Sequence, residues 1–283
     1  MDSVTPQLIR IAARSVRVWG GGTGPALLLL HGGIGDAEQH WAPVWDQLAA
    51  DFTIAAPDFP GFGGSAPLPD ARFGDWVEWT LRVIELLNLQ EVSLVGNSFG
   101  AGLARLVAAK YPDRVRRLVA AKYPDRVRRL VLVDGGHINT LPALLRPLLL
   151  LPIAPPLVEW VRKQAFSPDG LHRMVFNESL LTPEFIANAE AGSHAYVSIM
   201  RQALLGDLPP EQTPRGPTLV IWGAEDRLSS LDRGRAIAAA IPGSALRIMP
   251  AAAHMPQIEQ PEEFVRLVKE FCIEKHYERN LSV

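Results

Sequence analysis

Two rhythms of apolar residues alternate along the chain. Near the N-terminus LIRI and SVRVW set apolar and polar residues in turn, the period of half-buried strands, and Gly20 to Gly24 reads as a flexible turn after them. This predicts an edge hairpin. ALLLL, FTIAAPD, VSLVG, LVLVD, TLVIWG and ALRIMP are short apolar runs, and the last three read as strands buried on both faces. Between the runs, the segment ending near Leu48, DWVEWTLRVIELLNL and AGLARLVAAK space their apolar residues helically. The predicted fold class is therefore α/β: a mostly parallel eight-stranded sheet with helices on both faces. Ligand chemistry in such a sheet sits at the carboxyl ends of the strands.

The sixth predicted strand, LVLVD, and the seventh, TLVIWG, are separated by a long stretch with no strand pattern, rich in Leu and Pro from Leu144 to Val158 and helix-like beyond Thr182. Excursions of that length inside a compact domain usually serve function, and the apolar content suits the walls of a pocket for an apolar substrate. The expected organisation is a core of residues 1–136 and 213–283 with a helical lid over 137–212. One block stands apart: LVAAKYPDRVRR at 106–117 recurs unchanged at 118–129. A tandem duplication here lies after the helix that follows VSLVG, away from the carboxyl edge. Pro112 and Pro124 each disfavour uninterrupted helix, so an added kinked segment is expected, its second copy feeding LVLVD. Its spare apolar face offers a contact for a second copy of the chain, a homodimer expectation.

Composition narrows the classes of function. With 283 residues, 48% of them hydrophobic and 20% charged, the chain can bury a full core. A net charge of -2 provides no positive field for nucleic acid or anionic lipid, which leaves small molecules as the expected partners. The stretch Pro147 to Val158 is too short and too interrupted by proline to span a bilayer, and the opening residues show no secretion pattern. Cys272 is the single cysteine, so no intramolecular disulfide forms and the cytoplasm is the expected compartment.

The chemistry concentrates in Gly96-Asn97-Ser98-Phe99-Gly100. A serine hydroxyl needs a positioned base, and a sharp strand-to-helix turn presents it where base and substrate both reach; Gly-x-Ser-x-Gly after a strand and before a helix suits that turn. The base should be a later histidine on a loop after the last strand. His254 in AAAHMPQIEQPEEF fits, whereas His31 belongs to a glycine turn, His40 and His276 to helical segments, and His137, His172 and His194 to the lid. The orienting acid should precede the base at a strand end: Asp226 is the choice, with Glu225 beside it and Asp134 after LVLVD as the alternative. The backbone N–H groups of Phe99 and of Gly33, in the His31 to Gly35 loop, are the expected oxyanion donors. Gly20 to Gly24 lacks the Lys-Ser or Lys-Thr of a phosphate loop, and Gly61 to Gly64 opens no helix after a strand; metal-ligand spacings are lacking too. No cofactor and no metal are expected.

Taken together, HGGIGD, DFPGFGGS, GNSFGAG, GAEDRL and AHMPQIEQPEEF resemble the signature blocks of the α/β-hydrolase fold family, in order along nearly the whole chain. The Asn97-Ser98 pair and NESLLTPEF look similar to the branch holding meta-cleavage-product C–C hydrolases and related carboxylesterases. C–C hydrolases of that branch resemble one another in a lid arginine about seven residues after the segment's threonine and in a tryptophan after the catalytic histidine. Ala189 and Met255 stand at those places. The resemblance then implies a serine carboxylesterase acting on small, largely apolar esters. C–C hydrolase, lactonase or perhydrolase chemistry on the same residues, or a ligand receptor that kept the fold, are the alternatives.

Overall fold

The computed structural model describes residues 3–68, 71–110, 127–136, 154–205, 213–214 and 216–273. Strands β1 (Val4–Ile11) and β2 (Arg14–Gly21) form the expected hairpin, antiparallel with Leu8 opposite Arg17. Gly20 and Gly21 belong to β2 and pair with Thr5 and Val4, so the glycine turn is shorter than the sequence suggests. Six further strands follow in parallel: β3 (Ala26–Leu30), β4 (Thr53–Pro57), β5 (Val92–Asn97), β6 (Val127–Val133), β7 (Thr218–Gly223) and β8 (Ala245–Met249). β2 joins them antiparallel to β4, and the sheet order is β1-β2-β4-β3-β5-β6-β7-β8.

The unbroken apolar runs have a direct cause, since successive side chains point to opposite faces and both faces are covered. Leu28, Leu30, Leu94, Leu130, Leu132, Val220 and Trp222 enter one core, with α2 (Phe73–Leu86), α3 (Phe99–Lys110) and Ile237. Leu27, Leu29, Val95, Val131, Val133, Leu219 and Ile221 enter the other, with Trp41, Val44 and Leu48 of α1 (Ala37–Ala49) and Phe264, Val265, Val268 and Phe271 near the C-terminus. Each such leucine removed from water contributes about 2 kcal/mol. β8 departs from expectation. It is the sheet's last strand, with only β7 beside it, and Arg247 and Ile248 are exposed, so ALRIMP is an edge strand and not one buried on both faces.

Between β6 and β7 the described residues are helical: α4 (Ala154–Ala165), α5 (Pro168–His172), α6 (Pro183–Ala191) and α7 (Ser193–Leu205). Ser167 and Thr182 start α5 and α6 as side-chain caps on Gly170 and Phe185 N–H, each followed by a proline in the first turn. Past β7 come α8 (Leu231–Ala240), then α9 (Pro256–Glu259) and α10 (Pro261–Ile273) after β8. A third apolar cluster ties the excursion to the sheet's carboxyl edge, joining Phe166, Leu171, Met174, Val175, Phe185 and Ala189 to Ile34, Met255 and Ile258. No helix among the described residues is long and apolar enough to cross a membrane. Leu106 to Lys110 of the first duplicated copy end α3, and Val127 to Arg129 of the second begin β6. The rest of the duplication, with the kinked segment and dimer surface expected there, lies outside the described residues.

Candidate active site

β5 ends at Asn97 and α3 begins at Phe99, so the chain reverses at a single residue, Ser98, whose φ is 52°. A non-glycine residue in this left-handed region is strained and has to be held there. Ser98 N–H donates to Val133 O at 2.8 Å, and Ser98 O accepts from Gly102 N at 3.2 Å. The flanking glycines leave no room for anything larger: a Cβ on Gly96 would meet Gly100 O at 2.3 Å, and one on Gly100 would meet Leu30 O at 2.2 Å. Ser98 and Phe99 are half-buried, open enough for a small molecule to reach.

His254 lies on the loop between β8 and α9, and its Nδ1 is 2.8 Å from Asp226 Oδ2 on the loop after β7. With Nδ1–H donated to the carboxylate, Nε2 carries the free lone pair and can take a proton. Asp226 Oδ1 accepts from Leu228 N at 2.8 Å and Ser229 N at 2.9 Å. Burial alone would raise this carboxyl, but the hydrogen bond and charge of His254 and these two N–H groups outweigh it and hold Asp226 below its usual range. The neighbour Glu225 is exposed and plays no part. His172 pairs with Glu178 at 3.3 Å on the surface and His194 is exposed, away from these contacts. The other acid weighed from sequence, Asp134, is buried at the end of β6 and is not the acid on His254; it accepts Gly223 N at 2.9 Å.

The loop after β3 carries the expected oxyanion donor Gly33, and two buried histidines give the loop its shape. His31 Nδ1 donates to Gly32 O at 2.6 Å while its Nε2 accepts Phe59 N at 2.8 Å. His40, on α1, donates from Nε2 to Ile34 O at 2.7 Å, and its Nδ1 faces Gln257 Nε2 at 3.3 Å and Gly32 N at 3.5 Å. Each ring therefore needs one bare nitrogen, and burial lowers both pKa values, His31 to about 4 and His40 to about 3. Tyr196 of α7 packs over the loop so closely that a Cβ on Gly33 would meet its Cδ2 at 2.4 Å. No acceptor among the described residues takes the N–H of Gly33 or Phe99.

Three contributors escaped the sequence reading. Asn97 Nδ2 donates to Val133 O at 3.2 Å and to His254 O at 3.0 Å, tying the serine turn to the histidine loop. His254 N–H donates to Met174 O at 3.0 Å in the excursion. Glu259 accepts Ala253 N at 2.6 Å, Asn177 N at 3.1 Å and Phe176 N, joining the same two segments. Asn97 and Glu259 both stand inside blocks quoted for the family resemblance, which was the available signal; Met174 acts through its backbone and had none. Among the described residues one group of histidine and carboxylate atoms lies within 4.8 Å of one another: Asp134, Asp226 and His254. Within that group His254 Nδ1 and Asp226 Oδ2 are hydrogen-bonding partners.

Comparison with known proteins agrees with this layout. Residues 27–267 match the model of the alpha/beta hydrolase family. A 2-hydroxymuconate semialdehyde hydrolase of Pseudomonas putida is 32% identical over 231 residues, covering 78% of this chain and 77% of that protein. The solved meta-cleavage product hydrolase of Pseudomonas fluorescens superposes with a TM-score of 0.70 at 24% identity, over 95% of this chain and 98% of that one. A putative lipase from Acinetobacter baumannii gives a TM-score of 0.74 at 20% identity, over 99% and 93%. With the serine turn after β5, a family model that matches residues 27–267 and relatives of this kind, the chain belongs to the α/β-hydrolase family.

Proposed function

We propose that the chain is a serine carboxylesterase in which Ser98, His254 and Asp226 act together on small, largely apolar esters. Ser98 Oγ attacks the acyl carbon as its proton passes to His254 Nε2, and the Gly33 and Phe99 N–H groups receive the oxyanion. The alcohol leaves with that proton, and water, deprotonated by His254, then releases the acid from Ser98. The 2.8 Å contact of His254 Nδ1 with Asp226 supports the roles, since it fixes the tautomer that makes Nε2 a base. The helices between β6 and β7 serve as the lid, and no cofactor takes part. The single cysteine, Cys272, is free and buried, in keeping with the cytoplasm as the compartment.

The observation that carries the substrate class is the setting of Ala189 and Met255. Both are 0% exposed and packed in an apolar cluster, and neither side chain carries a cation for a substrate carboxylate. Cleavage of a C–C bond in a dienoate is the second reading, favoured by the similarity to 2-hydroxymuconate semialdehyde hydrolase. The two separate in one assay series: p-nitrophenyl esters of graded chain length against a 2-hydroxy-6-oxo-dienoate. A p-nitrophenol burst that disappears in Ser98→Ala, with kcat/KM for the best ester above that for the dienoate, is expected. The reverse order establishes C–C cleavage, and turnover that survives Ser98→Ala, or none with either substrate, ends the esterase reading.

A further inference from the structure

Two acids stand beside His254, and only one is hydrogen-bonded to it. Asp134 closes β6 with its backbone in the left-handed region at φ 44°, and it is 1% exposed. Its N–H donates to Ile221 O at 3.0 Å and its Oδ1 accepts Gly223 N at 2.9 Å, so it is held from both sides by β7. Its Oδ2 is buried, and no N–H or hydroxyl among the described residues reaches it. One ligand atom from each of the two acids and from His254 lies within 4.8 Å of the others.

Two carboxyl groups this close and out of water cannot both ionise, so one keeps its proton. The donors decide which. Asp226 receives Leu228 N, Ser229 N and His254 Nδ1, whereas Asp134 receives Gly223 N alone. The negative charge rests where three donors meet it, and the orphaned Oδ2 of Asp134 is satisfied as an O–H with Asp226 as its acceptor. Burial first and the Asp226 charge second push the Asp134 carboxyl well above the carboxylate range; Glu259, farther off, adds to this and Gly223 N–H opposes it.

We propose that Asp134 is a positioning residue: its carboxylic acid O–H donates to the Asp226 carboxylate and fixes that carboxylate's orientation toward His254. The proposal rests on the triad reading above, because Asp134 acts through Asp226 and touches no substrate. The donated hydrogen bond draws charge from Asp226 and so weakens the field that this carboxylate exerts on the imidazole.

Two substitutions and one spectroscopic band test it. At about pH 8 the infrared spectrum of the wild type should contain the C=O stretch of a protonated carboxyl that Asp134→Asn lacks. Asp134→Asn keeps an N–H donor for Asp226 and an acceptor for Gly223, so the acid limb of kcat/KM should stay within about 0.3 pH of wild type. Asp134→Val removes the donor; kcat should fall about ten-fold with KM unchanged, and the limb should move to higher pH. Absence of the infrared band overturns the proposal. So does a limb that falls by about one pH unit in Asp134→Asn, the mark of a lost neighbouring charge, or an Asp134→Val enzyme that behaves as wild type. Should the valine variant not fold, the band and the asparagine variant still decide. The downfield Nδ1–H proton resonance of His254, assigned by its loss in His254→Ala, reports the same titration without turnover. Failure of the esterase reading therefore leaves this test standing.

Discussion

Acid should unlock the loop after β3, and the amount can be worked from its two histidines. Both rings are buried, and each uses one nitrogen as an acceptor: His31 Nε2 for Phe59 N, His40 Nδ1 for Gln257. Burial is the main reason that His31 falls to about 4 and His40 to about 3, with the nearness of His31 helping to lower His40. For a base whose folded pKa lies below the ordinary 6.5, the unfolded chain takes up the proton first. Stability is thus full above about pH 6.5 and drains away as pH falls toward 4 for His31 and toward 3 for His40. At about pH 5 each histidine costs on the order of 2 kcal/mol relative to pH 8, about 4 kcal/mol together, against a total of about 5–15 kcal/mol for a typical domain. Urea unfolding followed by tryptophan fluorescence measures this, since Trp41 is buried next to His40 with ring centroids 6.2 Å apart. His40→Gln cannot titrate and should lose about 2 kcal/mol less than wild type between pH 8 and 5, a midpoint difference of about 0.7 M urea. If the two proteins lose stability in parallel, His40 takes its proton in the fold and the account of the loop is wrong.

Two further outcomes follow from contacts at the same edge. Gly33→Ala puts a methyl against the Tyr196 ring, where the room for a Cβ is 2.4 Å, and should lower kcat about 100-fold by displacing the Gly33 N–H; Gly33→Ala combined with Tyr196→Ala should regain part of the loss, and an unchanged kcat in the single variant would refute the close approach. Glu259→Gln leaves one acceptor for the three N–H groups now held by a carboxylate and should weaken the join by about 2 kcal/mol; limited trypsin digestion should cut faster after the exposed Arg173, and equal cutting rates would show that Glu259 is not the tie.

The legible part of this chain is the part where one-dimensional pattern and physics coincide. A strand covered on both faces has to be apolar throughout, so ALLLL, VSLVG, LVLVD and TLVIWG declared themselves, and Ser98 was marked by the two glycines that its turn requires. Asp226 could be preferred over Glu225 and Asp134, and the structure puts it on His254. ALRIMP misled although Arg247 within it was a local sign of exposure; as the sheet's last strand it has only β7 beside it. His40 was passed over as a helical histidine because its role comes from a packing contact with a loop at Ile34, six residues back and across a turn. The bond from His254 N–H to Met174 O was invisible for a different reason: a backbone carbonyl accepts whatever its side chain is.

That bond makes the mounting of His254 a joint one, shared between the sheet and the excursion. His254 is gripped on its carbonyl by Asn97 from the sheet and on its N–H by Met174 from the excursion, and Glu259 staples the neighbouring backbone to Phe176 and Asn177. With the excursion undocked, Asp226 and Asn97 would still hold His254 from the core, and its backbone N–H would lose its partner. Replacing the excursion with one from another family member would therefore exchange part of the mounting of the His254 loop.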